Sequence, residues 1–503
     1  MQIICVSRGT FSGGKDLAER LASKLGYQCL SREEVTDAAS EAGIPVGKLE
    51  MTVARRRPLD ERLAIEKERF AAFVSATICQ RALDQSLVYH GRTGHLVMPG
   101  VTDILRVRAI LDPEQRISSV MQRLNLSREK ARKYNEQVDE DRRRWARTLY
   151  NVDWQDPRHY DIVVNLSHVA VANAASALVG MAQLPEFNIT PATKRTIEDL
   201  LLASECRLAI GADPRTRGLS VRVRAEHGRV SITYLPRQEQ TARSIPEVVQ
   251  QVGGVNEILC TMASTNLLWI QERYDPTSES LSYILDIAGK WNAAVELLQL
   301  GGAMPDAAAV AVAPAPAETM LEQTPDDGGI LDETAVQDDV DQDEGLKRTR
   351  ERLIAAGRAG GYRVVPSGTR RLIESLDRTA PYSLVVVGDV FLSKAESARK
   401  RLTRELVSNL SDNLRMPVIE ADELKAQFLF GGAQWLKLGL FAALTVLLFV
   451  LVFTHQEEIL AFLTREGTWN RVLGTVVLLL FVPLCAHVYG EFARYLLRLF
   501  RFE

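Results

Sequence analysis

The chain has 503 residues, which is too long for a single hydrophobic core, so three or four domains are expected. Hydrophobic residues make up 46% of the sequence and charged residues 25%, as in folded proteins, and the net charge of -3 gives no sign of nucleic-acid binding. Six cysteines without paired spacing argue against a disulfide framework and a zinc site, and they suit a reducing compartment.

The first elements in chain order are an apolar strand, a glycine-rich turn and an amphipathic helix. Residues 3–6 are apolar, and Leu17, Leu21 and Leu25 have helical spacing. Residues 9–15, called the glycine loop below, fit the pattern G-x-x-x-x-G-K, in which backbone N–H groups and a helix start hold phosphate. Asp16 follows where Ser or Thr normally holds Mg²⁺, so the match is incomplete. From these letters alone, phosphate binding and a merely structural turn both remain open.

Further strands are predicted near residues 27–30, 86–92, 106–111 and 160–165, alternating with helical stretches. This alternation predicts a parallel sheet with helices on both faces. An arginine-dense helical region precedes the last strand. It fits either a solvated helix with acidic partners or a mobile lid whose guanidinium groups reach over transferring phosphates.

Four pieces of residues 1–178 together resemble the cytidylate-kinase-like family of P-loop nucleoside monophosphate kinases. In chain order they are Ser7-Arg8 leading into Ser12-Gly13-Gly14-Lys15-Asp16; Leu25-Gly26-Tyr27 followed by Ser31-Arg32-Glu33; Gly91-Arg92; and residues 139–144 with Asp153-Trp154 and residues 160–165. Ser31 stands where the family usually has Asp. Asp16 and Ser31 stand at positions that bind the metal ion or the acceptor. The sequence therefore supports nucleotide binding better than catalysis.

The resemblance implies phosphoryl transfer from ATP, with Mg²⁺, to a nucleoside monophosphate, preferentially a pyrimidine one. It implies three sets of site residues and no set of protein ligands for a metal. The catalytic set is Lys15, Asp139 and Arg142; the set for the ATP phosphates is Gly9, Ser12, Gly13, Gly14, Lys15 and Asp16; the set for the acceptor is Arg32, Arg92 and Arg123.

A helix, a β-hairpin turning at Gly228, a second helix and a strand after Gly253-Gly254 are predicted in residues 190–265. This region resembles a BON domain, which implies a binding module without catalysis. His168 and His227 are expected to be surface or structural residues. Residues 266–300 are predicted to be one or two packing helices.

Residues 301–346 are acidic and contain alanine–proline repeats, so a disordered linker is predicted. Residues 347–422 predict the order βαβαβ and a three-stranded parallel unit. This unit resembles the C-terminal half of a universal-stress-protein domain. It lacks that family's glycine-rich ATP motif after Gly388, so an interaction or scaffold role is expected.

Residues 433–491 contain two apolar runs, 435–453 and 472–488, each close to the length of a membrane-spanning helix. Flanking Trp435, Trp469 and Tyr489 favour a transmembrane hairpin, and the distribution of arginines predicts cytoplasmic termini. With no earlier span predicted, all soluble domains are expected in the cytoplasm.

The predicted architecture is therefore α/β: a kinase-like parallel sheet, a small BON-like domain, a βαβαβ unit and a transmembrane hairpin in the bacterial inner membrane. The expected function is a membrane-anchored nucleoside monophosphate kinase. Two alternatives remain open: a catalytically inactive nucleotide sensor, and a membrane-tethered scaffold that contacts a protein partner through its BON-like or βαβ unit.

Overall fold

The computed structural model describes residues 1–55, 58–91, 94–150, 152–301, 344–366, 372, 376, 382–414, 416–424, 432–464 and 468–500. The chain divides into two compact units, Met1–Ala421 and Asp422–Glu503. The predicted acidic linker lies almost entirely outside the described residues. So do Arg92, most of a helix predicted at residues 369–377, and the end of the C-terminal tail.

The N-terminal domain is built on a parallel sheet with the strand order β2-β3-β1-β4-β5. The strands are β1 (Ile3–Arg8), β2 (Gln28–Ser31), β3 (Leu87–Gly91), β4 (Ile104–Ile110) and β5 (Ile162–Asn165). The helices are α1 (Gly14–Leu25), α2 (Arg32–Glu41), α3 (Val46–Ala54), α4 (Glu61–Asp84), α5 (Pro113–Leu124), α6 (Arg128–Tyr150) and α7 (Val171–Ala182). The predicted parallel sheet is thus confirmed.

Strand β1 lies at the centre of this sheet because both of its faces are apolar. Ile3 and Cys5 belong to the core beneath α4, whereas Ile4 and Val6 pack with α1 and α7 on the other face. From β1 the chain passes to β2 on one side of the sheet, and from β4 it passes to β5 on the other. The glycine loop therefore lies at the carboxyl edge where the connections diverge, the usual position of a ligand crevice in such sheets.

A three-stranded sheet follows in the order β6-β7-β8, with β6 and β7 antiparallel and β7 and β8 parallel. The elements are α8 (Pro191–Ala212), β6 (Val221–Glu226), β7 (Arg229–Tyr234), α9 (Glu239–Ala242), α10 (Ile245–Val249) and β8 (Glu257–Met262). His227 and Gly228 both have positive φ in the hairpin turn. The predicted order of helix, hairpin, helix and strand is observed.

Helix α8 belongs to two hydrophobic cores at once. Ile197 and Leu200 pack against the core of the N-terminal domain, whereas Cys206 and Ile210 pack against the three-stranded sheet. The helix therefore joins the first two domains through apolar burial on both sides.

Residues 266–300 contain one helix, as predicted, but it lies between two strands that the prediction missed. This segment contains β9 (Thr265–Gln271), α11 (Glu279–Trp291) and β10 (Ala293–Gly301). Both strands are almost continuously buried, and a short apolar run of this kind has no periodicity that separates a strand from a buried helix.

The three strands predicted in residues 347–422 are present, but they do not form a separate unit. They join β9 and β10 in a second parallel sheet with the order β11-β10-β9-β12-β13. The added elements are α12 (Glu344–Ala355), β11 (Ala359–Pro366), β12 (Tyr382–Val387), α13 (Glu396–Leu414) and β13 (Val418–Glu420). Helix α12 begins at Glu344, so its first three residues lie within the predicted linker.

The second compact unit contains α14 (Gly432–Thr454), α15 (Gln456–Leu463) and α16 (Thr468–Phe500). Residues Trp435–Thr454 and Val472–Leu496 are long and apolar enough to cross a membrane, with mean hydropathies of 2.6 and 2.2. Only 6% and 11% of these windows are buried, which is unlike the core helix of a soluble protein. Most of the segment between them is helical rather than a loop.

Candidate nucleotide-binding site

The glycine loop turns sharply between β1 and α1. Phe11 and Gly13 both have positive φ, and the buried Ser12 hydroxyl donates a 2.9 Å hydrogen bond to the carbonyl oxygen of Gly9. The N-cap residue of α1 is Gly13, so no side chain caps the start of this helix. The amides at the start of α1 have no acceptor within the helix, so they can bind an anion.

Gly14 lets the helix start pack directly on the end of β1. A Cβ atom at Gly14 would lie 2.5 Å from the Cβ atom of Arg8 and 3.1 Å from that of Ala109. Because these atoms belong to two central strands, only glycine fits here without moving the sheet. The loop is therefore held close to the strand ends.

Two arginines on the helices that follow β4 donate to the backbone of the glycine loop and of the strand end just before it. Arg116, on the first turn of α5, donates from Nε to the carbonyl oxygen of Thr10 at 3.2 Å and binds both carboxylate oxygens of Asp139 at 2.7 and 2.9 Å. Arg142, on α6, donates from Nη1 to the carbonyl oxygen of Arg8 at 3.1 Å. The forked pairing with Asp139 fixes the plane of the Arg116 guanidinium group.

Arg123 adds a second contact between α5 and the loop. Its guanidinium carbon lies 5.5 Å from the centre of the Phe11 ring. Phe11 also packs against the apolar residues that α5 and α6 share. Helices α5 and α6 thus cover one side of the glycine loop, where the sequence predicted a lid.

A cluster of polar side chains lies at the end of β1, on the side of the sheet that carries β2 and β3. Arg8 donates from Nε to Nδ1 of His90 at 3.2 Å and from Nη2 to both carboxylate oxygens of Glu33, at 2.9 and 2.8 Å. Burial and, to a smaller extent, the positive charge of Arg8 together lower the pKa of His90 to about 4. His90 is therefore neutral at physiological pH and accepts the bond from Arg8.

The other side of the strand edge is an aromatic wall. The guanidinium carbon of Arg108 lies 4.9 Å from the ring centre of Trp154 and 5.7 Å from that of Tyr160. The Tyr160 hydroxyl lies 3.2 Å from Ser7 Oγ and donates to the carbonyl oxygen of Trp154 at 2.7 Å. Burial raises the pKa of Tyr160, so this hydroxyl stays protonated.

The predicted site residues fall into four groups in the structure. Gly9, Ser12, Gly13 and Gly14 form the loop, and Asp139, Arg142 and Arg123 lie against it on α5 and α6. Lys15 and Asp16 instead lie along the exposed side of α1, with Lys15 Nζ 3.7 Å from Glu19 and Asp16 2.7 Å from Arg20. Arg32, beside Gly91, binds Glu50 at 2.5 Å, and Arg92 is outside the described residues.

Sequence reasoning did not assign Arg8, His90, Arg108 or Arg116 to the site. Arg116 belongs to the arginine-dense region that the sequence predicts to be either a solvated helix or a lid. Its position four residues after the N-cap Asp112, just beyond the end of β4, is the signal that could have placed it at the strand edge. The contact with Thr10 itself joins residues far apart in sequence and is not visible in a local pattern.

In the described part of the chain, no group of three or more His, Cys, Asp or Glu residues could hold a metal ion. The loop amides suit an anion, whereas the hydroxyl of Ser12 is already bonded to Gly9. Any Mg²⁺ at this site would therefore be held mainly by nucleotide phosphates and water.

Comparison with known proteins shows that the first part of the chain is similar to one family. The model of the family described as cytidylate kinase-like matches residues 3–168. The parallel sheet of the N-terminal domain fits this family. The matched region, called the kinase-like domain below, contains the glycine loop, helices α5 and α6 and the aromatic wall.

No curated protein matches the chain. A crystal structure of an uncharacterized protein from Eubacterium ventriosum matches 36% of this chain and 98% of its own, with 19% identity and a TM-score of 0.29. At that score the likeness carries no argument about fold or function.

Proposed function

We propose that the kinase-like domain binds ATP with Mg²⁺ at the glycine loop and transfers the γ-phosphoryl group to a pyrimidine nucleoside monophosphate. The observation that carries this proposal is the uncapped start of α1 at the centre of the sheet edge, with Arg116 and Arg142 bonded to the adjoining backbone. The match of residues 3–168 to the cytidylate kinase-like family supports the same reaction.

Phosphoryl transfer depends mainly on positioning and on neutralising charge. A phosphate oxygen of the acceptor bonds to the γ-phosphorus, the bond to the bridging oxygen breaks, and ADP leaves. The loop amides would hold the ATP phosphates, and Arg116, oriented by Asp139, would neutralise the charge that develops on the transferred group. Mg²⁺ would supply further charge neutralisation at the phosphates.

Lys15 can join this arrangement at little cost. Its side chain is 65% exposed, and its ion pair with Glu19 spans 3.7 Å. Exposed pairs of this kind contribute only about 0–1 kcal/mol, so a bound phosphate can attract the ammonium group away from Glu19. The outward position of Lys15 is therefore compatible with phosphate binding.

A catalytically inactive nucleotide sensor is the second candidate, because two residues expected at the chemistry have structural partners. Asp16 binds Arg20 on the exposed side of α1. The Ser31 hydroxyl caps α2, accepting from the amide of Glu34 at 3.1 Å within a complete capping box. Binding would then alter the contacts of α5 and α6 without turnover.

The two candidates are separated by measuring ATP binding and ADP formation with the full chain in detergent, in the presence of Mg²⁺ and CMP, dCMP or UMP. We expect turnover, and we expect Lys15→Ala and Arg116→Ala each to lower it by about 100-fold, since each removes a charge at the phosphates. Arg128→Ala is the matched control, because Arg128 is 71% exposed and pairs with Glu114 rather than with the loop backbone. ATP binding without ADP formation would favour the sensor, and absence of ATP binding would contradict both.

The same proposal places the protein in the bacterial inner membrane with its soluble domains in the cytoplasm. Two helices of suitable length and apolarity support this, as does the contrast between Glu457 and Glu458 near the connection and Arg494 towards the C-terminal end. In this arrangement the BON-like and parallel-sheet regions are available to a protein partner on the cytoplasmic side.

A further inference from the structure

A cavity of about 290 Å³, called the junction cavity here, lies where the kinase-like domain meets the three-stranded sheet. Helix α4, the end of α6, helix α8, strands β6 and β7 and the start of β9 contribute to its wall. Among the side chains that line the cavity are Arg207, Arg222, Arg224, Tyr150, Tyr234 and Leu200.

Arg207 in this wall is deeply buried but incompletely paired. It is 5% exposed, and its Nη2 atom lies 3.4 Å from the carbonyl oxygen of Ile65 and 3.6 Å from a carboxylate oxygen of Glu68. Within the ranges that the structure describes, its Nε and Nη1 atoms have no hydrogen-bond acceptor. Burial lowers the pKa of Arg207, as expected for a cation whose charge is poorly compensated.

Arg222 and Arg224 bring further positive charge to the same wall. Both pair with the buried Glu296, at 2.9 and 3.6 Å, and Arg363 pairs with that same carboxylate at 2.9 Å. One carboxylate therefore faces three guanidinium groups. Nε and Nη1 of Arg222 also have no acceptor among the described residues.

We propose that the junction cavity binds a small molecule that carries a carboxylate or phosphate group on an apolar, preferably aromatic, body. Arg207 and Arg222 donate to the anionic group, while Leu200, Tyr150 and Tyr234 enclose the apolar part. A bound anion would satisfy buried donors that are otherwise costly to leave without partners. The mixture of apolar walls and a few convergent polar groups is typical of small-molecule sites.

A ligand in this cavity would contact α6, one of the two helices that cover the glycine loop. Tyr150 is the last residue of α6, and Arg142, two turns earlier on that helix, donates to the backbone beside the glycine loop. The two positions are separated by about 12 Å of helix at 1.5 Å per residue. The binding site itself does not depend on the kinase activity proposed above.

The test is calorimetric titration of the full chain in detergent with phenyl phosphate and benzoate, which separate a phosphate ligand from a carboxylate ligand. At least one is expected to bind, and the neutral analogue phenol is expected to bind at least tenfold more weakly. Arg207→Gln should weaken binding of the anionic probe at least tenfold. Ala203→Phe should also do so, because it places a ring in the cavity wall without removing a charge. Arg237→Gln is the matched control, since Arg237 is exposed and pairs with Glu61.

ATP competition locates the probe. Binding that persists in excess ATP, and that Lys15→Ala leaves unchanged, supports the junction cavity. Displacement by ATP would place the probe at the glycine loop and overturn the proposal. Absence of binding by both probes, or equal affinity in Arg207→Gln, Ala203→Phe and Arg237→Gln, would overturn it as well. If Arg207→Gln does not fold, Arg222→Gln replaces it in the comparison.

Discussion

His90 connects the electrostatics of the candidate site to the stability of the kinase-like domain. It is only 2% exposed at the end of β3, and its Nδ1 atom accepts a hydrogen bond from Arg8. Protonation of the imidazole would place two positive charges together in a buried position. The pKa of His90 is accordingly about 4 in the folded protein, well below the 6.5 of a free histidine.

Lowering the pH is expected to destabilise the domain through His90. Because the folded-state pKa is lowered, the unfolded state takes up the proton first, and the stabilisation is complete above pH 6.5 and lost as the pH falls towards 4. The loss amounts to as much as about 3 kcal/mol. Urea unfolding of wild type and His90→Gln, followed by tryptophan fluorescence, should show their difference in unfolding free energy shrinking over this range. His168→Gln, at an exposed position, should retain the wild-type slope.

For single residues, the local sequence pattern predicted the glycine loop but not the residues that bond to it. The ion pairs Lys15–Glu19 and Asp16–Arg20 join residues four apart on α1, so they depend only on local helical spacing. The bonds from Arg116 to Thr10 and from Arg142 to Arg8 join residues more than 100 positions apart. Such contacts depend on how α5 and α6 pack, which no local pattern specifies.

Among the elements, β9 and β10 show where periodicity fails. Strand β10 runs from Ala293 to Gly301 with all but its last residue buried, because it has a strand on each side and helices over its faces. A helix buried all round would have the same composition. By contrast, β6 and β7 were predicted correctly because their polar and apolar residues alternate and the hairpin carries its own turn signal.

Glu296 on β10 links the three-stranded sheet to the second five-stranded sheet. Its carboxylate pairs with Arg222 on β6 and Arg363 on β11, and it accepts a 2.7 Å hydrogen bond from the Tyr382 hydroxyl on β12. Burial would raise the pKa of Glu296, but Arg224, Arg363 and Arg222 outweigh burial and hold it well below its usual range.

Glu296→Gln is expected to lower the free energy of unfolding by about 3 kcal/mol, because it leaves buried guanidinium groups without a counter-charge. Glu257→Gln is the control, since Glu257 pairs with Arg350 at an exposed edge, where little stability depends on the pair. Urea unfolding at pH 7 measures both changes. Equal effects of the two substitutions would mean that the buried network contributes no more than a surface pair.

For the whole molecule, the structure changes the division into domains that the sequence predicted. The segment before the acidic stretch and the segment after it were assigned to different units. They form one sheet, in which β10 pairs with β11 in parallel register across residues 302–343. Parallel pairing needs a long connection, and composition cannot show which distant strands become neighbours. The apolar helices at residues 435–496 were predictable because length and apolarity alone identify them.

Two truncated chains test this arrangement. A chain ending at residue 421 keeps the strands β9 to β13 and lacks α14 and α16, so it should be soluble and leave the membrane fraction. A chain ending at residue 301 should aggregate, because β9 loses β12 and β10 loses β11, which leaves apolar strand edges unpaired. Fractionation and gel filtration of both, beside the full chain, measure the outcome. A soluble, folded 1–301 chain would show that β9 and β10 do not need their later partners, and a 1–421 chain that stays with the membrane would show that α14 and α16 are not the anchor.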